Sequence, residues 1–219
     1  MNKWKEVDNF LLQTVIRQDE ALLHALQTSR ENNLPEWEVS PEQGQFLFIL
    51  AKMKGAKRIL ELGTMGGYST IWLGYTLPED GKIVSLEFNH DYAKVARENI
   101  IYAGLEDKVT IIEGNAIDTM QELISHNEEP FDMIFIDADK PNNPLYLELS
   151  LKLSKKGTII FGDNVIREGQ LANANSSDLK VCGVRKYIED LGKLPNVITT
   201  GIQTVGCKGY DGFSLSLVE

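Results

Sequence analysis

Cysteine is nearly missing from this chain, with two in 219 residues, Cys182 and Cys207. They form no CxxC pair, so neither a zinc site nor a disulfide framework is encoded, and both are expected reduced and buried. Histidine is almost as rare: His24, His90 and His126 are expected on a helix face, at a helix start and in a loop, with no shared ligand spacing. Basic charge is also short. Twenty-two Lys and Arg against 32 Asp and Glu leave −10, which disfavours a phosphate backbone as partner, because such affinity comes from Lys and Arg. No stretch approaches the ~18 apolar residues of a membrane span. The start, Met1-Asn2-Lys3-Trp4-Lys5-Glu6, has no apolar signal core. A soluble cytoplasmic protein is the expectation.

What remains is ordinary globular composition, 42% hydrophobic and 25% charged, in a length that suits one α/β domain over 1–219. Residues 1–55 read as helices and 56–219 as an α/β core. Val7, Phe10, Leu11, Val15, Leu22, Ala25 and Leu26 recur at helical spacing and predict one amphipathic N-terminal helix, broken at Asn32-Asn33-Leu34-Pro35. Ser40-Pro41-Glu42-Gln43 supplies an N-cap, a first-turn proline and a capping-box Gln for a second helix ending near Met53.

Beyond it, short apolar runs alternate with amphipathic stretches. Arg58–Leu62, Ile83–Leu86, Val109–Ile112, Met133–Ile136 and Thr158–Phe161 read as strands buried on both faces, and helices are predicted between them. Repeated βα units predict a doubly wound sheet whose ligands sit beyond the carboxyl ends of the strands. After a helix over Leu179–Leu191, the runs Val197–Gln203 and Phe213–Val218 predict a closing antiparallel pair. Residues 167–178 read as a mobile surface loop.

The residues following each strand carry the chemistry. Strand one runs into Glu61-Leu62-Gly63-Thr64-Met65-Gly66-Gly67-Tyr68-Ser69. A dinucleotide fingerprint would need glycine at 65 and 68, where Met65 and Tyr68 stand, so a nicotinamide cofactor is disfavoured. A ligand-free βα turn is the plain alternative. Glu87 ends strand two, where a carboxylate can accept from the vicinal hydroxyls of a ribose. Gly114-Asn115-Ala116 offers small residues beside a flat base. Asp137 and Asp139 follow strand four, and Asp163-Asn164 follow strand five. Asp137, Asp163 and Asn164 form a hard oxygen set suited to Mg²⁺, with turn-capping as the competing role. Lys140, beside such a cation and partly desolvated, would lose proton affinity and serve as a general base.

These motifs resemble a known family. Leu60-Glu61-Leu62-Gly63, Gly66-Gly67-Tyr68-Ser69, Leu86-Glu87-Phe88-Asn89, Ile136-Asp137-Ala138-Asp139-Lys140 and Asp163-Asn164-Val165 are similar, in order and spacing, to the divalent-metal-dependent O-methyltransferases of the caffeoyl-coenzyme A and catechol type. The likeness runs from about Val39 to the C-terminus, and the N-terminal helix is like that of bacterial members. It implies a seven-stranded methyltransferase sheet with a C-terminal antiparallel pair, and an enzyme using S-adenosylmethionine (SAM) with Mg²⁺, or Ca²⁺ or Mn²⁺. A homodimer is also implied.

Under the resemblance Glu61, Gly63 and Ser69 line the methionine end of the cofactor, with Val39 and Met65 nearby. Glu87 holds the ribose, Ala116 borders the adenine, and Asp137 belongs to both cofactor and metal sites. Asp137, Asp163 and Asn164 ligate the metal, and Lys140 takes the phenolic proton. Many relatives have Leu-Trp after Asp-Asn-Val, whereas this chain has Ile166-Arg167, so the substrate wall is expected to be less aromatic. The reaction expected is displacement at the sulfonium methyl by a catecholate oxygen, releasing S-adenosylhomocysteine (SAH). Catechols, flavonoids and hydroxycinnamoyl thioesters all suit the metal as acceptors. Regiochemistry is assigned to residues 167–178 and the turn at Tyr210-Asp211. A noncatalytic SAM- or nucleoside-binding module and a nicotinamide-dependent oxidoreductase are the alternatives.

Overall fold

The computed structural model describes residues 2–219, which divide into two compact units, Asn2–Ala116 and Ile117–Glu219. The first begins with α1 (Asn2–Thr14), α2 (Glu20–Glu31) and α3 (Pro41–Lys54). The single N-terminal helix expected from periodicity is thus two. Asp19 interrupts it by turning to extended backbone, where its side chain accepts from Leu22 N and caps α2. Val7, Phe10 and Val15, expected in the apolar stripe, are exposed. At α3, Ser40 Oγ accepts from Gln43 N at 3.2 Å as predicted, while Gln43 Nε2 is buried without a partner among the described residues.

Strands β1 (Arg58–Leu62), β2 (Lys82–Glu87) and β3 (Val109–Glu113) follow, separated by α4 (Tyr68–Gly74) and α5 (His90–Tyr102). They pair in parallel in the order β3-β2-β1, with Leu62 opposite Leu86 and Glu87 opposite Glu113. Ile59, Leu60, Leu62, Ile71, Leu73 and Ile83 are fully buried, as two-sided parallel strands require. At about 25 cal/mol per Å² of apolar surface, each such side chain contributes roughly 1.5–3 kcal/mol to folding.

The second unit carries α6 (Ala116–Ser125), β4 (Phe131–Ile136), α7 (Asn143–Lys152), β5 (Ser154–Gly162), α8 (Leu179–Leu191), β6 (Val197–Gly206) and β7 (Gly209–Val218). Its strands lie in the order β4-β5-β7-β6; β4 and β5 are parallel, and β7 is antiparallel to both β5 and β6. Phe161 meets Phe135 edge to face at 5.5 Å between centroids and stacks on Phe213 at 4.5 Å. Tyr187 is fully enclosed, and burial pushes its phenol up to about 12 despite the opposing hydrogen bond with Ser214. Both cysteines are exposed and outside any disulfide, contrary to the expected burial. Cys182 faces out because Val181, Val184 and Tyr187 take the buried face of α8. Among the described residues no helix is long and apolar enough to cross a membrane.

Candidate active site

The first unit assembles the glycine turn from residues distant in sequence. Glu61 ends β1 fully buried, and its carboxylate accepts three hydroxyls: Ser69 Oγ at 2.6 Å, Thr70 Oγ1 at 2.5 Å and Ser85 Oγ at 2.6 Å. Thr64 Oγ1 joins Thr70 at 2.6 Å. A buried carboxylate is tolerable only with such compensation. Glu61 and Ser69, both expected to line the methionine end, therefore hold each other across the turn as well.

Glu87 is similarly engaged. One oxygen accepts from Met65 N at 2.8 Å and the other from Asn89 N at 2.9 Å. The first of these bonds pins Met65 in the left-handed region (φ 47°), a conformation costly for a residue with a Cβ. A carboxylate oxygen has two acceptor sites, so each oxygen of Glu87 keeps capacity for a ribose hydroxyl. Gly63 (φ 93°) donates to Leu86 O, which ties the turn to the end of β2. Val39 is buried and Ala116 opens α6.

Two contributors escaped the sequence reading. A Cβ on Gly66 would meet Ser29 Oγ of α2 at 2.0 Å, so this glycine is required by a neighbouring helix. Asn99 of α5 donates to Gly66 O at 2.8 Å and accepts from Thr28 Oγ1 at 2.6 Å. Neither Ser29 nor Asn99 lies in a motif. Tyr68, which spoils the dinucleotide fingerprint, is buried with its hydroxyl donating to Gln18 at 2.6 Å.

The second unit holds the acidic set. Ile136 and Gly162 are register partners on β4 and β5, so Asp137 and Asp163 emerge one step later from neighbouring parallel strands. Asp163 N donates to Ile136 O at 3.0 Å, which continues the pairing and brings the two residues to one sheet end. Asp163 is buried; its Oδ1 accepts from Asn164 N at 2.8 Å. Asn164 is left-handed (φ 51°), and no protein group hydrogen-bonds its amide side chain. Lys140, 8% exposed, donates to Asp137 Oδ1 at 2.9 Å, leaving Asp137 Oδ2 without a hydrogen bond. Among the described residues no cluster of three or more His, Cys, Asp or Glu is built for a metal. Two carboxylates and an amide fall outside that pattern, and as adjacent hard oxygen donors they fit Mg²⁺.

Asp139 is engaged by neighbouring side chains and caps no backbone N–H with its carboxylate. It accepts from Tyr146 Oη at 2.5 Å and Asn142 Nδ2 at 2.7 Å. Burial and this carboxylate push the Tyr146 phenol well above its usual range. Lys140 itself is clamped from behind. A Cβ on Gly183 of α8 would meet Lys140 O at 2.2 Å, so α8 presses directly on the backbone that carries the lysine.

A model of an O-methyltransferase family matches residues 13–215. The catechol O-methyltransferase of Niastella koreensis is 44% identical over 216 residues, covering 99% of this chain and 98% of that protein. The catechol O-methyltransferase of Mycobacterium tuberculosis is 44% identical over 214 residues, covering 98% and 96%. Among solved structures, the O-methyltransferase of Bacillus cereus in complex with SAH is 47% identical with a TM-score of 0.98, covering 100% and 99% of the two chains. TomG of Streptomyces achromogenes, involved in tomaymycin synthesis and solved in complex with SAM, is 42% identical with a TM-score of 0.96, covering 99% and 97%. The fold is the α/β methyltransferase fold with a seven-stranded mixed sheet. The chain belongs to the O-methyltransferase family, as its motifs indicated, and is a SAM-dependent O-methyltransferase.

Proposed function

We propose that this enzyme methylates one hydroxyl of a vicinal-diol phenol of catechol type in a reaction that requires Mg²⁺ or another divalent cation such as Ca²⁺ or Mn²⁺. The observation that carries the reading is the pair of carboxylates emerging side by side from β4 and β5, one of them bonded to a buried lysine. Asp137, Asp163 and Asn164 are the residues to hold the cation. When bound, the cation supplies positive charge that favours the phenolate, and SAM supplies the methyl group.

The protein's own groups do the rest. A phenol with a pKa near ~10 is mostly protonated at neutral pH, so a proton acceptor at the hydroxyl is needed. Lys140 Nζ, fixed at Asp137 Oδ1 and backed by α8, is that acceptor; such help is typically worth ~10²- to 10⁴-fold. Glu87 offers its remaining lone pairs to the ribose hydroxyls, and Ala116 borders the adenine. Glu61, Gly63, Met65 and Ser69, with Val39 nearby, shape the turn for the methionine end, and Asp137 serves cofactor and metal together. Orientation of acceptor against donor can supply ~7–11 kcal/mol, more than the proton transfer.

The reading includes a single methyltransferase domain over residues 1–219, a cytoplasmic location, which fits two exposed cysteines outside any disulfide, and a homodimer. Val7, Phe10 and Val15 of the N-terminal segment and Ile49 and Met53 of α3 are exposed apolar side chains that a second subunit would cover, and sedimentation equilibrium reads that state. The central test is a panel of phenols incubated with SAM, with and without chelator, read by product mass. Vicinal diols are expected to gain 14 mass units (~CH₂), and only without chelator. Methylation that persists in chelator removes the metal from the reading; absence of product from every vicinal diol removes the acceptor class.

A further inference from the structure

The turn after β5 carries a loosely held cation. Arg167 follows the candidate metal ligand Asn164 by three residues, a separation of at most about 10 Å along the backbone. Its side chain is 29% exposed, and its one ionic contact is with Asp211 Oδ2 at 3.9 Å, beyond hydrogen-bond range. Nε is buried without a hydrogen-bond partner among the described residues. A buried, unmatched Nε behind Nη groups that reach solvent leaves the outer edge of the fork open to an anion.

The backbone shows that the placement is enforced. Arg167 and Glu168 are left-handed at φ 52° and 54°, ahead of Gly169 at 83°, and Asn164 is left-handed at 51°. Three non-glycine residues in this region within five positions store strain that only a surrounding scaffold can hold. Asp211 is that scaffold. Its Oδ1 accepts from Ile166 N, Arg167 N and Gly212 N, each at 2.9 Å. These bonds fix Oδ1 on the backbone, while Oδ2 faces the guanidinium at 3.9 Å. Behind the turn, Arg185 Nη1 donates to Leu171 O at 2.5 Å, so part of the segment expected to be mobile is tied to α8.

We infer that Arg167 is a specificity-determining residue that receives an anionic substituent, a carboxylate, on the aromatic acceptor. The guanidinium fork matches a carboxylate in two parallel hydrogen bonds, which neither a neutral ring substituent nor an aromatic wall provides. In a chain of net charge −10, a local cation is also what an anionic acceptor needs in order to approach. The inference rests on the methyl-transfer reading for the identity of the ring, and a binding measurement separates the two.

The experiment titrates the full chain, with Mg²⁺ and without methyl donor, with 3,4-dihydroxybenzoate and with 3,4-dihydroxybenzamide by calorimetry. The same pair is then compared as acceptors with SAM. The wild-type protein is expected to bind the acid about tenfold or more tighter than the amide, the scale of a charge-assisted hydrogen bond. In Arg167→Gln that ratio falls to near one, and Arg167→Lys keeps part of it. Equal binding of acid and amide by the wild type, or an unchanged ratio in Arg167→Gln, overturns the assignment. Selective binding of the acid with no methylated product upholds Arg167 and overturns the vicinal-diol acceptor reading instead. Far-ultraviolet circular dichroism and the melting temperature of each variant establish that it is folded before the ratio is read.

Discussion

The two units treat their carboxylates in opposite ways. In Asn2–Ala116, Glu61 accepts three hydroxyls and Glu87 accepts two backbone N–H groups with lone pairs to spare. In Ile117–Glu219, Asp137 has one bonded oxygen and one bare, Asn164 has an unengaged amide, and Arg167 has an unmatched Nε. The first set fixes a backbone turn against which a ligand rests. The second set keeps electrostatic capacity in reserve. A lone pair already committed to the protein contributes little new energy to a ligand, so Glu61 chiefly holds geometry, whereas the open acceptor sites of Glu87 and Asp137 remain for ligands.

This contrast breaks most sharply at Asp163. Replacing it with alanine is expected to abolish cation-stimulated turnover, a loss on the order of 10³-fold or more, while SAM binding by calorimetry stays within a few-fold. A parallel collapse of SAM affinity would mean that the two sets are not separable. Lys140→Ala comes next, with kcat expected to drop by about 10²-fold and KM for SAM little changed. A fall in SAM affinity of similar size would make the lysine a structural partner of Asp137. The smallest effect falls on the saturated side. Glu61→Gln leaves at least one buried hydroxyl without its charged acceptor and is expected to lower unfolding free energy by about 1–3 kcal/mol in urea, with the metal dependence of turnover intact. Stability equal to the wild type would show that the three hydroxyls do not need the charge.

The motifs after each strand were legible because a parallel sheet exposes its carboxyl ends, and both the hydrophobic runs and the glycines that follow them are local signals. Asp137 and Asp163 could be paired on that basis alone, since the strands carrying them are consecutive. The break at Asp19 was not legible. Apolar periodicity runs across residues 15–22, and only the choice of extended backbone at one aspartate splits the helix. The clash that makes Gly66 obligatory was equally hidden, as Ser29 lies 37 residues away on another helix. The exposure of Cys182 depended on which face of α8 met the core.

Residue type and order along the chain were enough to set the fold class, the strand ends that carry chemistry and the hard character of the oxygen donors, because each follows from short-range pattern and intrinsic chemistry. Which lone pairs and protons remain available was decided only by the tertiary structure. Glu61 and Asp137 are both carboxylates after strands, yet one is consumed by Ser69, Thr70 and Ser85 and the other keeps an oxygen open. Hydrogen-bond saturation is a property of neighbours brought from far along the chain, and no single residue carries it.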